Sequence, residues 1–360
     1  MKIANRLQKL RLKLAQQELD AILISQPENR YYLSGFNGSA GFLLITEQKA
    51  VLATDFRYTE QAKIQAPEYD IFQTSGNTAS WFPEMINGLN LRRLGLEAEN
   101  ITLTTYRQLT GAIKKLKPKP ALISVNSLVE SLRSIKDAEE IEFITKASEL
   151  ADNAMEYVRQ SIHSGLNEKE LAWEIEQFMR RNGSQPVPFE VIVASGPNSA
   201  MPHARPSLRR IQPGEPVVVD IGARINGYCS DLTRTICLGQ PDDAYNKVYE
   251  IVLNAQITAI NGIKEGMTGD GADKLARAVI ERAGHGEAFG HSLGHGVGLV
   301  PHEQPRLGPK STDKLTPGMV FSIEPGVYLN GWGGIRIEDL VVIENGETRV
   351  ISKSRKGGST

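Results

Sequence analysis

VVVDIGARINGYCSDLTRTICL, residues 217–238, is the stretch from which the fold is read. Asn226-Gly227 marks a two-residue hairpin, because both central positions of a type I′ turn need φ > 0. Centring the turn there pairs Ile225 with Tyr228 and, counting outward, Gly222 with Asp231. Asp220 then shares a face with Asp231 as a diagonal neighbour, roughly 7–8 Å away between backbones. Gly222 leaves room opposite Asp231 where a side chain would otherwise stand. Two carboxylates converging on a half-buried face repel, so one takes a proton or a cation sits between them. The alternative is a surface lattice in which Arg224 and Arg234 neutralise them, although Arg234 alternates to the face opposite Asp231.

Downstream, HSLGHGVGLVPHEQPRLG (291–308) carries His291 and His295 at i, i+4. Gly294, Gly296 and Gly298 oppose a stable helix, and in an extended chain the even spacing still keeps both imidazoles on one face. The glycines are expected to let backbone pass close to an ion or substrate. FSIEPGVY (321–328) ends an apolar strand at Glu324, just before Pro325-Gly326. In GGIRIEDLVVI (333–343), read as the last strand, Arg336 and Glu338 share one face. Singly, each glutamate reads as a solvated strand residue. Together, Asp220, Asp231, His295, Glu324 and Glu338 form a hard, oxygen-rich donor set suited to a pair of cations such as Mn²⁺, Co²⁺ or Zn²⁺.

Upstream, AILIS (centred on 22–25), GFLLIT (41–46) and AVLAT (50–54) read as buried strands, with helical stretches at 58–65 and 105–116 between and beyond them. This alternation predicts a small α/β domain over residues 1–130. After the Pro-rich KPKP, SLRSIKDAEEIEFITKASELADNAMEYVRQSI reads as one long helix, with acidic residues at its start where the dipole favours them. A helix closed by Gly183, then strands and two helices near 242–262 and 269–284, predict an α+β second domain over 131–360. With 360 residues, 41 basic and 42 acidic side chains, the chain has no bulk field for nucleic acid or an acidic membrane. Two cysteines, Cys229 and Cys237, exclude a disulfide framework, and Cys229 reads as a packing residue. No apolar run approaches the about 20 residues of a membrane span. A soluble, cytoplasmic protein is expected.

VDIGARINGYCSDLTRT, HSLGHGVGLVPHEQP, SIEPGVY and GIRIED together resemble the Xaa-Pro peptidase branch of the methionine aminopeptidase, prolidase and creatinase superfamily. YYLSGFNGSAGFLLIT and ATDFRYTEQA resemble the non-catalytic N-terminal domain of that branch. The resemblance implies a creatinase/prolidase-type N-terminal α/β domain and a C-terminal pita-bread catalytic domain. It implies two divalent cations, Mn²⁺ first, with Asp220 chelating one, Asp231 and Glu338 bridging both, and His295 and Glu324 completing the other's shell. These activate water against the carbonyl preceding an N-terminal proline, and Glu324 shuttles the proton. His203, His291 and His302 match histidines that line the cleft and steady the intermediate. Arg336 anchors Glu338 or contacts substrate. His163 and His285 match nothing and read as surface or helix-end residues. Relatives of this kind are commonly homodimers.

Within the branch, the GSAG and DFRYTEQA segments favour an Xaa-Pro aminopeptidase; the alternative is an Xaa-Pro dipeptidase, which needs an arginine for its product's carboxylate, with Arg306 as candidate. More remote are a methionine aminopeptidase-like activity, which normally lacks a domain like 1–130, and a binding module of the same fold that has lost its metal ligands.

Overall fold

The apolar runs of the first third become one mixed sheet. The computed structural model describes residues 3–114 and 116–357, divided into two units, Met1–Arg133 and Ser134–Thr360. In the first, strands β1 (Ala21–Ile24), β2 (Phe42–Thr46), β3 (Ala50–Thr54), β4 (Asp70–Gln73), β5 (Arg93–Glu97) and β6 (Ala121–Val125) take the order β4-β3-β2-β1-β5-β6. The β1–β2 and β2–β3 pairs are antiparallel and the others parallel. Helices α1 (Ile3–Gln16), α2 (Pro27–Ser34), α3 (Thr59–Gln65), α4 (Thr78–Met85), α5 (Leu103–Ile113) and the single turn α6 (Glu130–Arg133) complete it. Leu23, Leu44, Phe82, Leu94 and Leu109 are fully or almost fully buried in its core. The helix expected over 105–116 stops at Ile113, and Lys115 lies outside the described residues.

The second unit covers each of its two main sheets with a helix pair. Helices α7 (Ala138–Ser161) and α8 (Glu168–Arg181) share a core with β7 (Ile192–Ser195), β8 (Pro216–Ile221) and β11 (Leu232–Cys237). Helices α9 (Asp243–Gly262) and α10 (Gly269–Arg282) share another with the sheet of β12 (Gly294–Gly296), β13 (Glu303–Leu307), β14 (Val320–Ile323), β17 (Asp339–Glu344) and β18 (Glu347–Val350). Two short hairpins, β9–β10 (Arg224–Ile225, Tyr228–Cys229) and β15–β16 (Gly326–Leu329, Gly333–Arg336), accompany them. Among the described residues no helix is long and apolar enough to cross a membrane.

The hairpin register runs as expected: Ile225 faces Tyr228, and further out Ile221 faces Leu232 and Asp220 faces Thr233. Asn226 and Gly227 both take positive φ, +48° and +83°. The room opposite Asp231 is not vacant, however. A Cβ on Gly222 would stand 2.7 Å from the Phe189 ring and 2.8 Å from Pro188, which fill that space.

Three further expectations are corrected. The long helix begins at Ala138 rather than in SLRS, because Ile135 bridges to Met319 and a reciprocal Asp137–Glu140 capping box sets the start. GGIRIEDLVVI is two strands in different sheets, parted at Ile337-Glu338 where Glu338 N–H donates to Thr233 O, and β18 follows them. Gly294 and Gly296 are crowded by neighbouring strands, not by space for a ligand. Cβ atoms there would lie 2.0 Å from Ser322 O and 2.1 Å from Gln304 O.

Candidate active site

Strand ends aim the acidic side chains. Asp220 is the penultimate residue of β8, Asp231 immediately precedes β11, Glu324 follows β14, and Glu338 lies between β16 and β17. His295 is the middle residue of β12. All five line one cavity of about 580 Å³, and so do His203, His291, His302, Arg306 and Arg336. Donor atoms of Asp231, His295 and Glu338 lie within 4.8 Å of one another. His295 Nδ1 is 3.2 Å from Gly296 O, which leaves Nε2 facing the acids, 3.1 Å from Glu324 Oε1 and 3.8 Å from Asp231 Oδ2.

Burial raises the proton affinity of Asp231 and Glu338 well above the carboxylate range, and the neighbouring acids raise it further. For Glu324, burial pulls upward but the His295 hydrogen bond and charge outweigh it, bringing it down to about 2. Burial likewise lowers His295, yet Glu324 and Glu338 carry it up to about 9. The protonated imidazole and the Arg336 guanidinium are thus the two cations set against the acids of the cage.

That does not suffice. Carboxylates at this separation repel by about 3 kcal/mol per pair at an effective dielectric of about 20. Asp220 Oδ1 and Glu338 Oε1 are buried and have no hydrogen-bond partner among the described residues, a costly state for a buried charge. Arg336 offsets Asp220 most directly, donating from Nη2 at 2.7 Å, and its charge also acts on Asp231 and Glu324. Hard oxygen donors around one imidazole, with lone pairs unused, fit divalent cations of the Mn²⁺, Co²⁺ and Zn²⁺ kind, and a bound cation would compete with the His295 proton.

Arg336 therefore anchors Asp220, not Glu338 as one reading had it. Its other nitrogens donate to Thr233 Oγ1, Pro202 O and Tyr328 Oη. Because a guanidinium only donates, the Tyr328 hydroxyl is left to donate to His291 Nε2, 3.0 Å away, and His291 Nδ1–H goes to Ser292 O at 2.8 Å. Both His291 nitrogens are engaged, and burial holds its pKa down. His302 stacks against the His295 ring at 3.9 Å; burial first, then the His295 charge, pushes it down to about 4. Arg306 faces His295 across β12–β13, and its guanidinium donates to Pro309 O at 3.3 Å. Neither arginine of the surface-lattice alternative reaches the acids. Arg234 is buried against Asp339, and Arg224 donates to Leu299 O. His163 is exposed beside Ser164 O, and His285 stands just past α10. Cys229 is buried.

Sequence reasoning missed Thr233, Tyr328 and Phe189. Thr233 Oγ1 donates to Glu338 Oε2 at 2.7 Å, and its place opposite Asp220 in the register was the available signal. Tyr328 folds back over Gly326, two residues earlier, where a Cβ would stand 2.6 Å from its hydroxyl; a glycine two before an aromatic was the signal there.

An acid-lined, metal-ready cavity on this two-unit frame belongs to a hydrolase. The chain is a member of metallopeptidase family M24, whose profile matches residues 142–345, while the creatinase/prolidase N-terminal domain matches residues 6–135. An Xaa-Pro dipeptidase of Pyrococcus furiosus is 37% identical over 357 residues, covering 98% of this chain and 99% of the relative. The solved structure of an Xaa-Pro dipeptidase from Bacillus anthracis matches with TM-score 0.96 at 40% identity, covering 99% of each chain. That of an X-Pro aminopeptidase from Thermotoga maritima matches at 0.88 and 36%, covering 97% of this chain and all of that one (100%).

Proposed function

We propose that this chain hydrolyses Xaa-Pro dipeptides with the help of two divalent cations, Mn²⁺ first, held by Asp220, Asp231, His295, Glu324 and Glu338. The reading rests on unsatisfied acidic oxygens crowded around one imidazole, in a cavity that also holds an arginine whose guanidinium has no acidic partner among the described residues. The bound pair supplies Lewis acidity and a water of lowered pKa. Glu324 Oε1 moves a proton toward the proline nitrogen as that nitrogen leaves. His203 and the neutral His302 donate to the carbonyl oxygen as it gains charge. His291, with its one ring hydrogen donated to Ser292 O and its Nε2 accepting from Tyr328, shapes the cleft wall. Proline has no N–H to be gripped, so the cleft needs no acceptor for it.

Arg306 supports the dipeptidase reading, since a bidentate guanidinium suits a terminal carboxylate. Two of the three relatives named above, the dipeptidases of Pyrococcus furiosus and Bacillus anthracis, favour it over the aminopeptidase that the GSAG and DFRYTEQA segments suggested. With Mn²⁺ supplied, Xaa-Pro is expected to be cleaved at least about tenfold more efficiently than Xaa-Pro-Yaa. Arg306→Ala is expected to raise the dipeptide KM about 10- to 100-fold and to leave the tripeptide little changed. Faster tripeptide cleavage, or equal losses on both, restores the aminopeptidase. Turnover of Met-Ala-Ser points to methionine aminopeptidase-like activity.

A further inference from the structure

His203 and Arg205 reach the cavity from the segment between Ser195 and Ser207, and both ends of that segment meet at one side chain. Glu168, the first residue of α8, is completely buried. Its Oε1 accepts from Ser195 N at 2.7 Å and Ser195 Oγ at 2.7 Å, and its Oε2 from Ser207 N at 3.0 Å and Ser207 Oγ at 2.7 Å. Asn198 Nδ2, inside the segment, spans both oxygens at 3.1 Å.

Every partner is a donor. Arg209 Nη1 donates to Ser195 Oγ and Arg209 N to Ser207 Oγ, so each hydroxyl has its own hydrogen left for the carboxylate. An acceptor on both oxygens is required there, which a carboxylate supplies and an amide does not. The start of α8 favours that negative charge. The same helix end grips the backbone beyond: Lys169 N–H donates to Ser207 O and Glu168 N–H to Arg209 O. Gly196 follows Ser195 at φ +49°, where a Cβ would stand 2.3 Å from Glu215 and 2.6 Å from Arg209.

We infer that Glu168 is a positioning residue, a clasp that closes the base of the loop carrying His203 and thereby sets the enzyme's grip on its substrate. Glu168 does not line the cavity, whereas Pro202, His203, Ala204 and Arg205 do. The kinetic consequence rests on the proposed Xaa-Pro activity; the clasp itself does not. Glutamine at position 168 keeps the volume but turns an NH₂ toward donors, so one end of the loop is released.

The test compares wild type with Glu168→Gln and with the milder Ser207→Ala, which also decides the matter if the first fails to fold. Hydrogen exchange of peptides within 196–206 is expected to speed up about tenfold or more in Glu168→Gln, with exchange in α9 and α10 unchanged. KM for an Xaa-Pro dipeptide is expected to rise about tenfold with kcat within about twofold, and Mn²⁺ affinity by calorimetry to stay within about threefold. Ser207→Ala is expected to move the same readouts by about threefold. Unchanged exchange in 196–206 overturns the clasp. So does a loss spread evenly over kcat, Mn²⁺ affinity and whole-chain exchange, which is what a merely structural residue would give. If wild type cleaved no Xaa-Pro peptide, the proposed function would fall, while the exchange comparison would still judge the clasp.

Discussion

Glu97 in the first unit and Glu338 in the second are both buried glutamates, 7% and 1% exposed, and burial raises the proton affinity of each. Their surroundings differ in one respect. Glu97 accepts from Ser25 N, Ser25 Oγ, Gln26 N and Asn29 Nδ2, all at 2.6–2.8 Å. Glu338 has the Thr233 hydroxyl on one oxygen, no partner on the other among the described residues, and Asp220, Asp231 and Glu324 lining the same cavity. A buried carboxylate saturated by donors fastens a fold; one left short among its own kind has lone pairs free for a cation.

The largest effect separating the two regions is expected from Asp231→Asn. On the proposed function, in which Asp231 is shared by both cations, removing this acid should lower kcat/KM by about 10³-fold or more. The metal-free protein should melt no lower than wild type, since the substitution also removes repulsion. Retained turnover in a steady-state assay would end the cage reading.

The next effect is on stability against pH. Asp231, Glu338 and His295 all have folded pKa values raised above their unfolded ones. Their stabilising contributions are fully present below the unfolded values and are lost as pH rises through the folded ones. Glu324, depressed to about 2, contributes above its ordinary 4.5 and fades only in strong acid. Metal-free protein should therefore lose melting temperature as pH climbs from 6.5 through about 9, where His295 gives up its proton. Saturating Mn²⁺ should raise the melting point and flatten that slope, because it replaces the proton as counter-charge. Parallel slopes with and without Mn²⁺, by scanning calorimetry, would contradict this.

Much of that cage was legible before any coordinates. Asn226-Gly227 sets a register that carries outward to Asp220 and Thr233 without slipping, since a one-residue shift would turn every side chain to the other face. Acids at strand ends beside Gly and Pro were readable too. What stayed hidden depends on which element faces which across long stretches of chain: Arg234 on Asp339, Tyr328 on His291, Ser195 and Ser207 on Glu168. Local pattern constrains none of these. The glycines of HSLGHGVG misled for a related reason, because a missing Cβ signals close approach without saying what approaches, and here it is neighbouring backbone at Gly294 and Gly296 and the Glu303 carboxylate at Gly298.

The smallest effect, and the sharpest contrast with Asp231, is expected from Glu97→Gln. The amide must turn its NH₂ toward the three hydrogens of Ser25 and Gln26 or toward the Asn29 amide, which also donates to Gln26 Oε1 and Glu130 Oε1. At least one buried donor is left facing another donor, a cost of about 2 kcal/mol. For a unit of this size that lowers the melting temperature by about 5–10 °C. Glu97 lines none of the cavity that holds the acid cluster, so kcat/KM below the transition should stay within about twofold of wild type. A drop in activity comparable to that of Asp231→Asn, at a temperature where circular dichroism shows the variant folded, would mean that saturation by donors does not mark a carboxylate as structural, and the distinction drawn between the two glutamates would have to be abandoned.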